Sequence, residues 1–348
     1  MEISEFVKIN ENSREAKYQQ IVKSIIHNVV IGNLVIDQKI PSINNFSEEL
    51  YVSRDTVEKA YNILKKRQVI ASIRGKGFYI ARTKLISKVR ILFLINKLSS
   101  YKMRIYNSFV ETIGADSIVD LHIYHCDESL FLGLLDKHKS DYDYYVIMPH
   151  FKTEAQEHTS MTNRVSEAIN KIPKNRLVLM DNALKQDHSQ SITVYQDFKK
   201  DIYTALKTGI KKISKYKKVM LVYPETGVYP YPKRILHGVK LFCLEHHFDF
   251  EVVDRVCDDM SINKGELFII IEEGDLVNFI RRTRENRYKL GEDVGVISYN
   301  DTALKEVFGV SVVSTDFKVM GEQGAKMILD KAKGEFKVPF NFIDRDSA

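Results

Sequence analysis

Beyond residue 88 the chain settles into a rhythm that few folds accommodate. Apolar, β-like runs at Val89–Ile95, Leu121–Tyr124, Tyr144–Met148, Leu177–Met180, Val219–Val222, Leu267–Ile271 and Val294–Ile297 alternate with helical stretches at Ile105–Ile113, Leu130–His138, Arg164–Ile172, Phe198–Lys207, Ile235–His246 and Leu276–Arg284. Most runs are continuously apolar rather than alternating, as strands buried on both faces of a parallel sheet are. The alternation predicts a doubly wound α/β layout, and the extent of residues 89–348 suits two Rossmann-like lobes around a cleft. No Gly-x-Gly-x-x-Gly follows the first strand and no P-loop signature is present, so neither nucleotide-binding device is expected.

The N-terminal part reads differently. Residues 1–15 are polar and aperiodic, a flexible lead or a short helix. From Lys17 onward, Tyr18, Ile21, Val22, Ile25, Ile26, Val29 and Val30 recur at helical spacing, and Gly32 and Asn33 end that helix. Pro41-Ser42 opens a second helix, with Ser42 as its N-cap and Phe46 and Leu50 on its buried side. Tyr51-Val52 is the turn into a third helix, capped by Ser53, whose inner face is Val57, Ala60, Tyr61 and Leu64. Arg54, Asp55, Thr56 and Lys59 are left on the first turn or the outer face. Val69–Ile73 and Phe78–Ile80 read as strands joined by Arg74-Gly75-Lys76-Gly77, where glycine permits positive φ.

A capped helix with a basic start, followed by a tight basic hairpin, is the surface that a winged helix presents to DNA. The first turn enters the major groove, its free N–H groups meet phosphate, and the hairpin tip reaches the minor groove or its phosphates. Arg54 is the candidate to grip a guanine edge, and Thr56 suits a phosphate or methyl contact. Charge agrees: residues 16–82 hold seven Lys and four Arg against two Asp and three Glu, an excess equal to the whole chain's +6. A basic segment beside a nearly neutral remainder suits phosphate contact.

Other classes are disfavoured. No apolar run approaches the roughly 18 residues needed to span a bilayer. Met1-Glu2-Ile3-Ser4-Glu5 lacks the basic start of a signal peptide, so a cytoplasmic protein without a membrane partner is expected. Cys126, Cys243 and Cys257 are far apart without Cys-x-x-Cys spacing, as reduced thiols are. Scattered His and Asp residues form no readable triad or metal spacing, so neither catalysis nor a metal or cofactor is expected.

The N-terminal stretches Tyr18-Gln19-Gln20-Ile21, Ile40-Pro41-Ser42, Val52-Ser53-Arg54-Asp55-Thr56-Val57 and Gly75-Lys76-Gly77-Phe78 closely resemble the GntR-family winged helix-turn-helix. The resemblance implies DNA contacts from Ser42, Asn44, Ser53, Arg54, Thr56, Lys59, Arg74, Lys76 and Gly77. One departure counts: where that family usually carries an acidic residue and then a DNA-contacting Arg after the Pro-Ser, this chain has Ile43 and Asn44. Operator preference should differ accordingly. GntR-type heads fused to aminotransferase-like domains need a longer chain and a cofactor lysine motif that is not found here.

Residues 89–348 resemble the LacI-type effector domain, itself akin to periplasmic sugar-binding proteins. The similarity rests on Asp293-Val294-Gly295-Val296-Ile297-Ser298-Tyr299-Asn300-Asp301-Thr302 and on Val313-Ser314-Thr315-Asp316-Phe317 followed by Met320-Gly321-Glu322-Gln323-Gly324-Ala325. It rests also on Arg234 with Gly238, similar to an Arg-x-x-Gly helix whose Arg points into the cleft. The resemblance implies an effector site at strand C-termini built from Asn96, Lys97, His150, Asp181, Tyr195, Asp197, Arg234, Glu272 and Asn300, with Arg234 the leading candidate. Asn300 replaces the family's usual Asp, and Asp301 is as readily a turn residue as a contact. Tyr101, Lys102 and Arg104 are either phosphate contacts or solvated.

The joint expectation is an α/β chain: a winged helix-turn-helix at 1–82, a linker at 83–88 and a two-lobed, periplasmic-binding-protein-type domain at 89–348. Together they resemble arabinose-repressor-like chimeras. That implies a homodimeric regulator of a carbohydrate-use operon, with double-stranded operator DNA and a monosaccharide effector as partners. A sugar phosphate, nucleoside or purine is the alternative effector.

Overall fold

The computed structural model describes residues 3–348 apart from 12, 14, 74, 82–88, 116, 140, 183–189 and 226–227. The chain separates into two compact units, Met1–Lys88 and Val89–Ala348. The connector expected at 83–88 lies outside the described residues.

In the first unit, α1 (Lys17–Val30), α2 (Ile43–Glu49) and α3 (Arg54–Lys66) accompany a small antiparallel sheet. Its strands β1 (Lys39–Ile40), β2 (Ile70–Ile73) and β3 (Gly77–Ile80) lie in the order β1-β3-β2. The inner face of α3 is the expected one: Val57, Ala60, Tyr61 and Leu64 are all fully buried, against Ile21 and Ile25 of α1 and Phe46 of α2. The Tyr61 hydroxyl donates to the Pro41 carbonyl at 2.9 Å, which ties α3 to the start of α2. Val30, expected on the α1 stripe, is exposed at the helix's last position. The polar lead is docked: Ile3 and Val7 are buried in the same core. Ser24 Oγ and Asn28 Nδ2 donate to the Phe6 carbonyl at 2.9 and 3.3 Å.

The second unit is built on two six-stranded sheets. In lobe 1 lie β4 (Val89–Ile95), α4 (Ser100–Ile113), β5 (Ser117–Ile123), α5 (Glu128–Lys137) and β6 (Tyr144–Ile147). They are followed by a short hairpin of β7 (Phe151–Lys152) and β8 (His158–Thr159), then α6 (Asn163–Asn170), β9 (Leu177–Asn182) and β10 (Ile192–Gln196). The chain then enters lobe 2 through α7 (Phe198–Thr208), α8 (Ile210–Ile213), β11 (Lys218–Val222), α9 (Lys233–Glu245) and β12 (Asp249–Val253). Next come β13 (Glu266–Ile270), α10 (Glu273–Glu285), β14 (Gly295–Tyr299), α11 (Ala303–Val307) and β15 (Ser311–Thr315). It returns to lobe 1 for α12 (Phe317–Leu329) and β16 (Gly334–Lys337), and ends in lobe 2 with β17 (Phe340–Ile343).

The sheet orders are β16-β10-β9-β6-β4-β5 and β12-β11-β13-β14-β15-β17, parallel throughout except for β17 against β15. The continuous apolar runs have a direct cause. In β4, Ile91, Phe93 and Ile95 pack towards Phe109 and Met320, while Leu92 and Leu94 pack on the opposite side with Phe131 and Val165. All five β4 side chains are fully buried, each contributing about 1.5–3 kcal/mol over exposure. In both sheets the strand order reverses beside the first strand of the lobe, β4 and β11. Ligand-binding loops of open α/β sheets gather at the C-terminal ends there. Among the described residues no helix is long and apolar enough to cross a membrane, and Cys126, Cys243 and Cys257 are free thiols.

Helix α12 lies against α4 at close range because Gly321 has no side chain. A Cβ there would come within 2.1 Å of Ser108 Oγ and 2.3 Å of the Ile105 carbonyl oxygen. Replacing glycine by alanine inside a helix ordinarily gains up to about 1 kcal/mol. Here the neighbour is backbone and cannot yield, so the clash outweighs that gain. Gly321→Ala is expected to destabilise the second unit by about 1–3 kcal/mol in urea unfolding. A neutral or stabilising result would contradict this packing.

Candidate functional site

Two surfaces carry the functional candidates, one in each unit. In the first, Ser42 and Ser53 cap their helices. Ser42 Oγ accepts from the Asn45 amide at 3.2 Å, and Ser53 Oγ accepts from the Thr56 amide at 3.2 Å. Ser53 Oγ also meets Thr56 Oγ1 at 2.7 Å, which orients the first turn of α3. Asn44, Ser53, Arg54 and Lys59 are exposed, and Lys59 Nζ stands 4.2 Å from the centre of the Tyr18 ring. The hairpin tip is formed by Gly75 and Gly77 at φ 78° and 103°, with the Lys76 amide donating to the Ile73 carbonyl at 3.0 Å. Lys76 is exposed, and Arg74 lies outside the described residues. Among the described residues neither Arg54 nor Lys76 enters an ion pair, so both guanidinium and ammonium remain open to an anionic partner.

The second surface is a cleft between the lobes of the second unit. Its wall includes Asn96, Lys97, Tyr101, His150, Asp181 and Gln196 from lobe 1, and Phe198, Pro230, Tyr231, Pro232, Ile235, Tyr299 and Asn300 from lobe 2. Asp181 is its electrostatic centre. The carboxylate is almost wholly buried and accepts from Lys102 Nζ, from His150 Nε2 at 2.9 Å and from Gln196 Nε2. Burial alone would raise its pKa, but the Lys102 ammonium beside it and the hydrogen bonds from His150 and Lys102 hold it far below the usual carboxylate range.

His150 is pushed down, first by burial and then by the Lys102 charge, against the opposing pull of Asp181. His158 is held down to about 2 by burial, then by His150 and Arg234. Both rings are therefore neutral near pH 7, and the acceptor-only Asp181 fixes their tautomers. His150 donates from Nε2 to Asp181 and accepts at Nδ1 from His158 Nε2, 2.8 Å away.

Three buried polar atoms on the wall lack a partner among the described residues: Asn96 Oδ1, Asn300 Oδ1 and the Tyr299 hydroxyl. Leaving such a group unpaired costs about 1–3 kcal/mol, which a hydroxylated molecule in the cleft would recover. Asp181 and Asn300 both have positive φ, 75° and 63°, at the ends of strands. Residues held in that region concentrate where backbone strain serves a site.

The structure thus brings together Asn96, Lys97, His150, Asp181 and Asn300. Tyr195, Asp197, Arg234 and Glu272 are not on the cavity wall. Asp197 caps α7, accepting from the amides of Lys199 and Lys200 at 3.2 Å. Glu272 is exposed at the start of α10, and Tyr195 is half-buried on β10. Arg234 precedes Gly238 by four positions, one more than the Arg-x-x-Gly spacing, and Ile235 takes the wall position. Arg234 donates instead to Asn182 Oδ1 at 2.6 Å and lies over the Phe198 ring. Asp301 forms a two-pronged ion pair with Arg345 at 2.7 and 2.8 Å.

Sequence reasoning left Lys102 between a phosphate contact and solvation; it is fully buried. Its signal was present: Lys102, Ile105, Phe109 and Ile113 share one buried helical face, so a lysine occupies a core position of α4. Tyr101, read from sequence as either a phosphate contact or solvated, lies on the wall, and Gln196, Tyr231 and Tyr299 join it there without having been singled out.

The paired imidazoles make stability pH-dependent. Their folded pKa values lie below the unfolded value of about 6.5, so the unfolded chain binds protons that the folded one refuses. Stability is fully present above that value and falls as pH drops below it, by about 1.4 kcal/mol per pH unit for each such group. Urea unfolding of the second unit between pH 7.5 and 5.5 should show this slope, and His158→Gln should flatten it by about one proton. Equal slopes in the two proteins would contradict the buried neutral pair.

Comparison with known proteins agrees with this geometry. Residues 17–80 match the family model for bacterial regulatory proteins of the gntR family. The HTH-type transcriptional repressor YtrA of Bacillus subtilis is 29% identical over 83 residues, 23% of this chain and 64% of that protein. The arabinose metabolism transcriptional repressor of Geobacillus stearothermophilus is 31% identical over 68 residues, 20% of this chain and 19% of that one. The chain therefore spans less than two thirds of either relative. Among solved structures, a LacI family transcriptional regulator from Lactobacillus casei with bound glucose superposes with a TM-score of 0.57 at 13% identity, over 75% of this chain and all of that one. At that identity the likeness is one of fold. The chain joins a GntR-family helix-turn-helix domain to a domain with the fold of LacI-type, periplasmic-binding-like regulators.

Proposed function

We propose that the chain is a ligand-responsive transcriptional regulator, a repressor of a carbohydrate-use operon whose DNA affinity is set by a sugar-class effector in the cleft. The observation that carries this reading is the trio of unpartnered buried atoms, Asn96 Oδ1, Asn300 Oδ1 and the Tyr299 hydroxyl, at the strand ends of both lobes. Such groups are costly in an empty cleft and suit hydroxyls. The glucose bound to the Lactobacillus casei regulator supports the same class. In this reading residues 1–82 bind DNA, 83–88 connect and 89–348 sense.

The cleft is nearly closed. Its cavity is about 30 Å³, room for a water or two and far short of the roughly 300 Å³ or more of small-molecule sites. Contacts between the lobes hold it shut: Arg234 to Asn182 at 2.6 Å, His125 to Tyr229 at 2.9 Å and Lys233 to Glu157 at 2.7 Å. Ligand binding therefore requires the lobes to part. The segments at 196–198, 315–317 and 337–340 that cross between them act as the hinge. A ligand favouring one lobe orientation would shift a two-state equilibrium. In a homodimer that shift alters the spacing of two DNA-binding heads on a pseudo-palindromic operator.

The DNA-binding half is tested with duplexes selected by the full-length chain from a random library. Arg54→Ala is expected to weaken binding of the selected duplex by about 1–3 kcal/mol and to relax preference at one base pair. Lys76→Ala should weaken all sequences alike and reduce the salt dependence by about one phosphate contact. Failure to enrich any sequence, or an Arg54 variant that binds unchanged, would sink this assignment.

A further inference from the structure

Lys97 follows β4 and faces the cleft from lobe 1. Its Nζ stands 4.7 Å from the ring centre of Tyr231 and 5.5 Å from that of Tyr229, both on lobe 2. Among the described residues this ammonium enters neither a hydrogen bond nor an ion pair. Burial, then the neighbouring Lys102 charge, press its pKa downward against the weaker opposing pull of Cys126, Glu272 and Asp181.

Among the described residues the rest of the wall offers Lys97 no carboxylate at ion-pair distance. Asp181 is the one carboxylate among the described wall residues, and it already accepts from Lys102, His150 and Gln196. Lys102 and Asp181 cancel, and His150 is neutral, so among the described wall residues the uncompensated charge is the ammonium of Lys97. The groups still lacking partners are two amide oxygens, which accept, and one tyrosine hydroxyl. A neutral sugar would leave that ammonium uncompensated once the lobes close. Among the described wall residues it would also find no free carboxylate to hold its hydroxyls in pairs, because Asn300 stands where an acid was expected and Asp181 is engaged by Lys102, His150 and Gln196.

We propose that the cleft takes an anionic, hydroxylated molecule, a sugar carrying a phosphate or a carboxylate. Its anionic group meets Lys97 Nζ, and its hydroxyls donate to Asn96 Oδ1 and Asn300 Oδ1. This inference rests on the reading of the cleft as the effector site and narrows the effector class within it. The tyrosine faces under Lys97 hold the ammonium in place without neutralising it, since cation–π contacts are weaker than a desolvated ion pair.

The test uses the full-length chain in thermal unfolding and calorimetric titration with matched sets. Each set holds a neutral sugar (D-glucose, D-fructose, D-xylose or L-arabinose), its phosphate and its sugar acid, and inorganic phosphate is added alone. At least one phosphate or acid should bind about tenfold or more tightly than its neutral parent, as a charge-assisted contact implies. Lys97→Met should lose that margin and Lys97→Arg should keep most of it. The Met variant should unfold at a temperature no lower than wild type, since it removes an unpaired, half-buried charge. Preference for phosphates or for acids identifies which anion is meant, and either supports the inference. A neutral sugar binding as tightly as its anions, or a Lys97→Met protein binding the anion undiminished, overturns the charge assignment and leaves the effector site standing. If no member of any set binds the folded protein, the effector reading falls and this inference with it.

Discussion

The buried ion pair between Lys102 and Asp181 organises the second unit. Burying either charge without the other would cost several kcal/mol even after relaxation. They persist because each is fully surrounded. Lys102 comes from α4, Asp181 from the end of β9, His150 from the loop after β6, and Gln196 from the end of β10. Gln196 also accepts from Thr315 Oγ1 at 2.6 Å, and Thr315 ends β15, the strand from which the chain returns to lobe 1. One polar network therefore joins the floor of the cleft to two of the segments that cross between the lobes.

That network also explains what the cleft can recognise. Satisfying Asp181 internally removes the carboxylate that would otherwise grip paired hydroxyls. What remains is a set of uncharged acceptors, a tyrosine hydroxyl and an ammonium seated on aromatic rings. In the low-dielectric space between closed lobes, these few groups would decide the affinity of a bound molecule more than buried area would. The first unit solves a different problem. Its fold is fixed by an apolar stripe on each helix, and the capping serines and the glycine tip leave exposed the backbone and basic groups that phosphate and base edges require.

Much of the fold was legible because the physics is local and repetitive. Continuous apolar runs announced doubly buried strands, and Ser42 and Ser53 announced two helix starts that the structure bears out. What escaped notice lacked such signals. Strands β12 and β16 lie at sheet edges and are half exposed, so their sequences mix polar and apolar residues. Strand β17 pairs antiparallel at the other edge of lobe 2. The docking of Ile3 and Val7 depends on contacts with α1 that no short pattern reveals. In the cleft, residues at strand ends were located from sequence, but their partners were not. The pairing of Lys102 with Asp181 spans 79 positions, and the one-residue offset of Arg234 turns it from the wall towards Asn182. Such pairings are set by tertiary packing, which periodicity does not encode.

The central claim is that occupancy of the cleft and affinity for DNA are one linked equilibrium. It is tested most directly by fluorescence anisotropy of a selected duplex, titrated with the full-length chain with and without a saturating small molecule that binds residues 89–348. Linkage predicts a change in DNA affinity of about 5- to 150-fold and, reciprocally, the same factor in ligand affinity when DNA is bound. Identical DNA affinities at full ligand occupancy would contradict the account, because the two units would then share a chain without sharing an equilibrium.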